Sequence, residues 1–114
     1  EIQTIVELPE YIRNARSLLT VSEKDSIINY LATHPKSGVL IQGTGGVRKL
    51  RWALGNKGKS GGVRIVYFYH NTTIPVFLLT LFGKNNKENL TKEERNELAK
   101  LVKLIVTNYG VNNV

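Results

Sequence analysis

The chain reads as one α+β domain, residues 1–114, ordered β-α-α-β-β-β-α, with a mainly antiparallel sheet flanked by an N-terminal helical hairpin and a C-terminal helix. Three observations predict this. Apolar residues recur at helical spacing from Tyr11 to Leu31. Three runs rich in β-branched and aromatic residues follow, at Val47–Ala53, Val63–His70 and Val76–Phe82, joined by segments of turn composition. A helical period then returns after Thr91. A domain of this size buries about two-thirds of the surface of its unfolded chain, enough for a real core.

Each element has a local cause. Ile2 to Leu8 alternates well enough to predict a strand. Pro9 suits the first turn of a helix, where its missing N–H is no loss, and Tyr11, Ile12, Ala15, Leu18 and Leu19 form that helix's apolar stripe. Thr20-Val21-Ser22-Glu23 has capping-box form, a hydroxyl and a carboxylate three residues apart. It opens a second helix carrying Ile27, Ile28 and Leu31, which His34-Pro35 and Gly38 end, because a residue before proline avoids the α region. Val63–His70 and Val76–Phe82 are apolar at nearly every position, which predicts central strands covered on both faces. Asn71-Thr72-Thr73 before Pro75 predicts the turn between them. Thr91-Lys92-Glu93-Glu94 is a second capping box, and the helix it opens should turn Leu98, Leu101, Val102, Leu104 and Ile105 inward and end near Asn108–Gly110.

Charge is distributed unevenly. Residues 26–87 contain no Asp or Glu but nine Lys or Arg: Lys36, Arg48, Lys49, Arg51, Lys57, Lys59, Arg64, Lys84 and Lys87. The flanks hold nine acids against seven bases, so they sum to −2 and the middle to +9, giving the net +7. A field of one sign without internal neutralisation is suited to a polyanion, and nucleic acid is the first candidate. Cysteine is absent, which excludes disulfides and thiolate metal sites and fits a reducing cytoplasm. No apolar run approaches the roughly 18 residues of a membrane span, so no membrane partner is expected.

The glycine motifs do not indicate a nucleotide site. Gly43-Thr44-Gly45-Gly46 precedes a strand, whereas a dinucleotide fingerprint opens a helix. Gly58-Lys59-Ser60 imitates the end of a P-loop, but Ala53 stands where that motif needs glycine, and a strand follows. Turns at the two ends of a strand explain both. Lys49 and Arg51 are two apart on a strand and therefore share a face. Arg64, on the next strand, can join them across an antiparallel pair, and Lys84 follows the last strand. Arg64 stands out because it lies among apolar neighbours, where an unpaired charge is costly, with no acid within 23 residues in sequence. Its partner must be remote or a ligand phosphate. His34 and His70 each stand alone, and no histidine pair, carboxylate pair or Ser-His-Asp set presents itself by spacing. Neither a metal nor a cofactor is expected. Catalysis by this chain would have to use cations.

The ordered set Gly43-Thr44-Gly45-Gly46-Val47-Arg48-Lys49-Leu50-Arg51-Trp52, then Gly58-Lys59-Ser60-Gly61-Gly62-Val63-Arg64-Ile65-Val66-Tyr67, then Leu81-Phe82-Gly83-Lys84-Asn85 and Leu90-Thr91, closely resembles the HigB-like branch of the RelE toxin superfamily, the toxins of bacterial type II toxin–antitoxin pairs. The resemblance implies a compact sheet wrapped by helices and a cytoplasmic endoribonuclease that cuts mRNA in the ribosomal A site. It also implies neutralisation by a cognate antitoxin, expected to be a helix-turn-helix protein. By the same resemblance the family's basic pair falls on Lys49 and Arg51 and its key arginine on Arg64. Where better-studied RelE members carry an arginine and, several residues later, a tyrosine, this chain has Asn85 and Thr91, with Lys84 the nearest cation.

The expected catalytic set is therefore Lys49, Arg51, Arg64 and Lys84. Arg48, Lys57, Lys59 and Lys87 are expected to hold flanking RNA phosphates. Lys49 is the candidate base, since crowding by Arg51 and Arg64 disfavours its charged form. Two other readings are compatible with the same residues: a non-catalytic RNA- or ribosome-binding module, and a gyrase poison of the ParE type.

Overall fold

The structure, a computed structural model, describes residues 2–55, 62–84, 86–87 and 89–112. The elements are β1 (Ile5–Glu7), α1 (Pro9–Leu18), α2 (Val21–Thr33), β2 (Val39–Leu40), β3 (Val47–Trp52), β4 (Val63–Phe68), β5 (Val76–Gly83) and α3 (Lys92–Asn112). They form a five-stranded sheet in the order β1-β5-β4-β3-β2, in which β1 runs parallel to β5 and every other pair is antiparallel. The predicted α+β order holds, with one addition. The two-residue strand β2 is too short to carry an alternation and is exposed at both positions, so nothing in its composition separates it from a loop.

The helical hairpin forms for the reasons its sequence suggests. Pro9 sits in the first turn of α1, and Thr20 caps α2 reciprocally with Glu23, hydroxyl to N–H at 3.1 Å and N–H to carboxylate at 2.8 Å. His34 closes α2, its Nδ1 within 3.2 Å of the Tyr30 carbonyl. The turn before β5 is an Asx turn, in which Asn71 Oδ1 accepts the N–H groups of Thr73 and Ile74 at 2.9 Å.

The sheet buries both faces. Tyr11, Ala15, Ile27 and Leu31 from α1 and α2 pack on Val63, Ile65, Tyr67, Leu78 and Leu81, with Leu50 and Trp52 of β3 against them. On the other face Val102 and Ile105 of α3 pack on Val47, Val66, Phe68, Phe77 and Phe82. All six residues of β4 are buried and so are seven of the eight in β5, which makes them the central strands their composition predicts. Leu104 corrects the reading of α3: it is 60 % exposed, while Leu98, Leu101, Ile105 and Tyr109 face the sheet. At 100° per residue Leu104 lies a quarter-turn from Ile105, outside a stripe already filled by the 98-101-105-109 spacing. The helix also continues past Gly110 to Asn112.

The glycine-rich stretch is the β2–β3 turn. Gly43, Gly45 and Gly46 all have positive φ, and Thr44 between them is fully buried, donating to the Ile41 carbonyl at 2.6 Å. Gly46 further needs its missing side chain, since a Cβ there would stand 2.9 Å from the Phe68 ring. On the hairpin face Tyr67 fastens the loop between α2 and β2. Its hydroxyl donates to the Pro35 carbonyl and accepts the Gly38 N–H, both at 2.8 Å, and burial pushes the phenol's pKa up from its ordinary value.

At the start of α3, Thr91 and Glu94 form the expected capping box, and Glu94 also takes the Lys87 ammonium in an ion pair. The Lys87 hydrogen bond, followed by that from the Thr91 N–H, holds the Glu94 carboxyl below the usual carboxylate range.

Two outcomes follow from these contacts. Tyr67→Phe leaves the buried Gly38 N–H without an acceptor and should lower the free energy of unfolding by about 1–3 kcal/mol, read as a reduced urea midpoint. A lowered carboxylate pKa contributes stability that is complete above the unfolded-state value and disappears as pH falls through the folded-state value. Glu94→Gln should therefore flatten the acid-side loss of stability in urea melts taken between neutral pH and pH 3.

Candidate phosphate-binding site

The pairing of β3 with β4 decides where the cations go. Along β3, Val47 packs under α3 while Leu50 and Trp52 pack toward the hairpin, so alternation puts Lys49 and Arg51 on the α3 face with Val47. Along β4, Val66 and Phe68 face α3, which places Arg64 there as well. The register sets Arg51 directly opposite Arg64 and Lys49 opposite Val66, so Lys49 is the diagonal neighbour of Arg64. Directly opposed side chains start about 5 Å apart and diagonal ones about 7–8 Å, within reach of one phosphate group for long side chains. Sequence spacing therefore led to a true convergence of three cations.

Exposure grades across this cluster. Arg64 is 5 % exposed, Lys49 is half-buried and Arg51 is exposed. Among the described residues the one ion pair is Lys87–Glu94, so no carboxylate there neutralises Lys49, Arg51 or Arg64. Residues 56–61, next to the cluster in sequence, contain no acid either. Like charges facing each other across a strand pair destabilise the sheet. This sheet carries two arginines in that relation, one of them buried.

Lys84 joins from the end of β5. Its N–H donates to the Gly62 carbonyl at 3.0 Å, which fixes its backbone beside the strand entry that carries Arg64. Asn89, which the sequence reading did not single out, completes the surroundings: Lys49 Nζ donates to its Oδ1 at 2.7 Å. No spacing rule links residues 40 apart, and Asn89 sits in a polar loop of unremarkable composition, so only the folded chain exposes this contact.

The other four basic positions have different situations. Arg48 lies on the hairpin face, where its Nη1 donates to the Lys36 and Gly38 carbonyls at 3.0 and 2.9 Å. There it fastens the same loop that Tyr67 holds, one residue from Lys49 but on the far side of the sheet. Lys87 is paired with Glu94 and lies over the Phe82 ring at 5.0 Å from its centroid. Lys57 and Lys59 lie outside the described residues, as does Asn85. Thr91, where the resemblance led to the expectation of a tyrosine in better-studied members, accepts the Glu94 N–H as the helix cap.

A groove of about 570 Å³ between α1, β5 and the start of α3 is a separate feature. Its charged lining is Glu10, Glu93, Glu94 and Glu97 against Lys87 and Lys100, a net negative set that disfavours phosphate. Lys49, Arg51 and Arg64 are not among its lining residues. Among the described residues no three His, Asp or Glu side chains gather as metal ligands, and no helix is long and apolar enough to cross a membrane.

Comparison with known families agrees with this architecture. Residues 42–110 match the family described as the RelE toxin of the RelE/RelB toxin–antitoxin system. The match runs from the β2–β3 turn through nearly all of α3 and includes Lys49, Arg51, Arg64, Lys84 and Asn89. A five-stranded, mostly antiparallel sheet with helices on both faces, bearing on paired strands three cations that no described carboxylate pairs, thus belongs to a chain that is a member of the RelE family of toxins, which act in pairs with a cognate antitoxin.

Proposed function

We propose that this toxin is a ribosome-dependent endoribonuclease that cuts mRNA in the ribosomal A site and so inhibits translation, until its antitoxin, expected to be a helix-turn-helix protein, neutralises it. The observation that carries the reading is Arg64, buried, opposite Arg51 and diagonal to Lys49, with no carboxylate in salt-bridge contact among the described residues. A buried guanidinium without a counter-ion is unfavourable in the free protein and becomes favourable when an anion arrives.

RNA carries its own nucleophile, the 2′-hydroxyl beside the scissile phosphate. In the proposed reaction the 2′-oxygen attacks phosphorus in line with the 5′-oxygen of the next nucleotide, and Lys49 accepts the 2′-hydroxyl proton. Arg64 holds the non-bridging oxygens through its planar fork, as a point-charge ammonium cannot. Arg51 and Lys84 stabilise the charge that grows on the phosphorane, each such contact contributing about 2–4 kcal/mol. The P–O5′ bond breaks, the 5′-oxygen takes a proton, and the products are a 2′,3′-cyclic phosphate and a 5′-hydroxyl. Lys57 and Lys59 would hold phosphates on either side. Arg48, which the hairpin-face loop engages, and Lys87, paired with Glu94, are poorly placed to help.

Brief induction followed by 5′-end mapping of cellular mRNA should reveal new ends bearing 5′-hydroxyls, and translation should stop before replication does. Replication stopping first would favour a gyrase target, and arrest without new ends would favour a binding module. Arg64→Ala should abolish both cleavage and growth arrest; full toxicity in that variant would falsify the proposal.

The same burial makes a prediction of opposite sign for stability. Arg64→Met removes a buried charge that no described carboxylate pairs, together with its repulsion with Arg51, and should raise the free energy of unfolding by about 1–2 kcal/mol, read as a higher urea midpoint, while eliminating cleavage.

A further inference from the structure

Asn89 is the one side chain among the described residues that hydrogen-bonds a member of the cation cluster. Its placement is firm. Leu90 beside it is buried against the Phe82–Val102 core, and Thr91, the next residue, caps α3 together with Glu94. The Arg95 N–H donates to the Thr91 carbonyl at 3.0 Å and Arg95 Nη1 to the Leu90 carbonyl at 3.5 Å, so the chain is held on the C-terminal side of Asn89.

The chemistry of the pair is specific. An ammonium has three donors and no acceptor, so the contact has to be to the amide oxygen. A lysine is a flexible stem, and about 2 kcal/mol of rotamer entropy opposes its being held in one direction. One firm acceptor sets the azimuth of Nζ and leaves its other positions for the substrate. A neutral amide oxygen accepts an N–H from both the ammonium and the free amine, so the contact survives proton transfer. A carboxylate at the same place would hold only the charged form strongly and would cancel the positive field toward the phosphate. Among the described residues no acid forms an ion pair with Lys49. Arg51 lies two residues along the same strand face and Arg64 lies diagonally, while Val39 and Val66 are its partners on the two adjacent strands.

Building on the ribonuclease reading, we propose that Asn89 is a positioning residue that aims Lys49 Nζ at the reacting ribose while leaving its charge unopposed. The arrangement couples the start of α3 to the sheet: the helix cap that fixes Thr91 also fixes the acceptor two residues before it.

The test is single-turnover cleavage of mRNA on programmed ribosomes by the purified toxin and its Asn89→Ala, Asn89→Asp, Lys49→Ala and double Lys49→Ala/Asn89→Ala variants, with thermal melts alongside. Asn89→Ala should cut about 10–100-fold more slowly with nearly unchanged ribosome affinity, the loss expected of a misaimed group. Asn89→Asp retains an acceptor and should fold normally, yet should lose at least as much rate at neutral pH and move the pH–rate profile upward. In the Lys49→Ala background, Asn89→Ala should have no further effect. Wild-type rates in Asn89→Ala, an unshifted profile in Asn89→Asp, or equal losses in both backgrounds would each overturn the assignment. Should Asn89→Ala melt below the assay temperature, Asn89→Asp decides alone. No cleavage by the wild-type toxin overturns the ribonuclease reading and this one together. Cleavage that is indifferent to Asn89 overturns only the positioning role.

Discussion

The β3–β4 register governs the chemistry of this molecule more than any single side chain does. Six consecutive residue pairs, from Val47 opposite Phe68 to Trp52 opposite Val63, lock the two strands, and β4 is buried along its whole length. A slip of one residue would exchange the faces of every side chain on one strand relative to the other. It would drive Arg64 into the core under the helical hairpin and turn Ile65 to the α3 face. The apolar pattern on both faces of β4 therefore enforces the encounter of Arg51 with Arg64, an encounter that charge alone would prevent. Hydrophobic burial holds two like charges together, and under the proposed function it is this imposed repulsion that a phosphate would relieve.

Adjacent basic residues on one strand have unlike roles because a sheet has two sides. Arg48 donates to the carbonyls of Lys36 and Gly38 and, with Tyr67, fixes the loop that leads into β2. Lys49, the next residue, reaches toward the start of α3 on the opposite face. The β2–β3 turn sets this partition upstream, since glycines at 43, 45 and 46 with positive φ deliver the chain to Val47 in the orientation that buries it under α3. An l-residue at Gly46 would meet the Phe68 ring and disturb the strand pair at its other end.

The segment between β5 and α3 carries several of the contacts that surround the cation cluster. Thr91 caps the helix, Lys87 pairs with Glu94 of the same cap, and Asn89 hydrogen-bonds Lys49. Leu90, between the amide–ammonium contact and the cap, is buried in the α3-face core. Arg95, in the first turn of α3, donates to the Leu90 carbonyl.

Most of the fold was legible in the sequence, because its elements are specified locally. Capping boxes at Thr20 and Thr91, Pro9 in a first helical turn, and the uniformly apolar runs of β4 and β5 each express a rule that acts within a few residues. The acid-free middle and the two-residue spacing of Lys49 and Arg51 likewise announced a cationic face and which residues would share it. What the sequence could not determine depends on contacts between distant parts of the chain. β2 exists because β3 offers it an edge, and Leu104 is exposed because Ile105 and Val102 already fill the seat. Arg48 and Lys87 look as free as Lys49 in a one-dimensional charge pattern, and only the folded chain hands one to backbone carbonyls and the other to a carboxylate. Asn89 is the sharpest case, since its meaning lies wholly in a 2.7 Å contact with a residue 40 positions away. Local periodicity assigns a side chain to a face, but which groups meet on that face is decided by strand register and helix placement, and both are set by the packing of the whole domain.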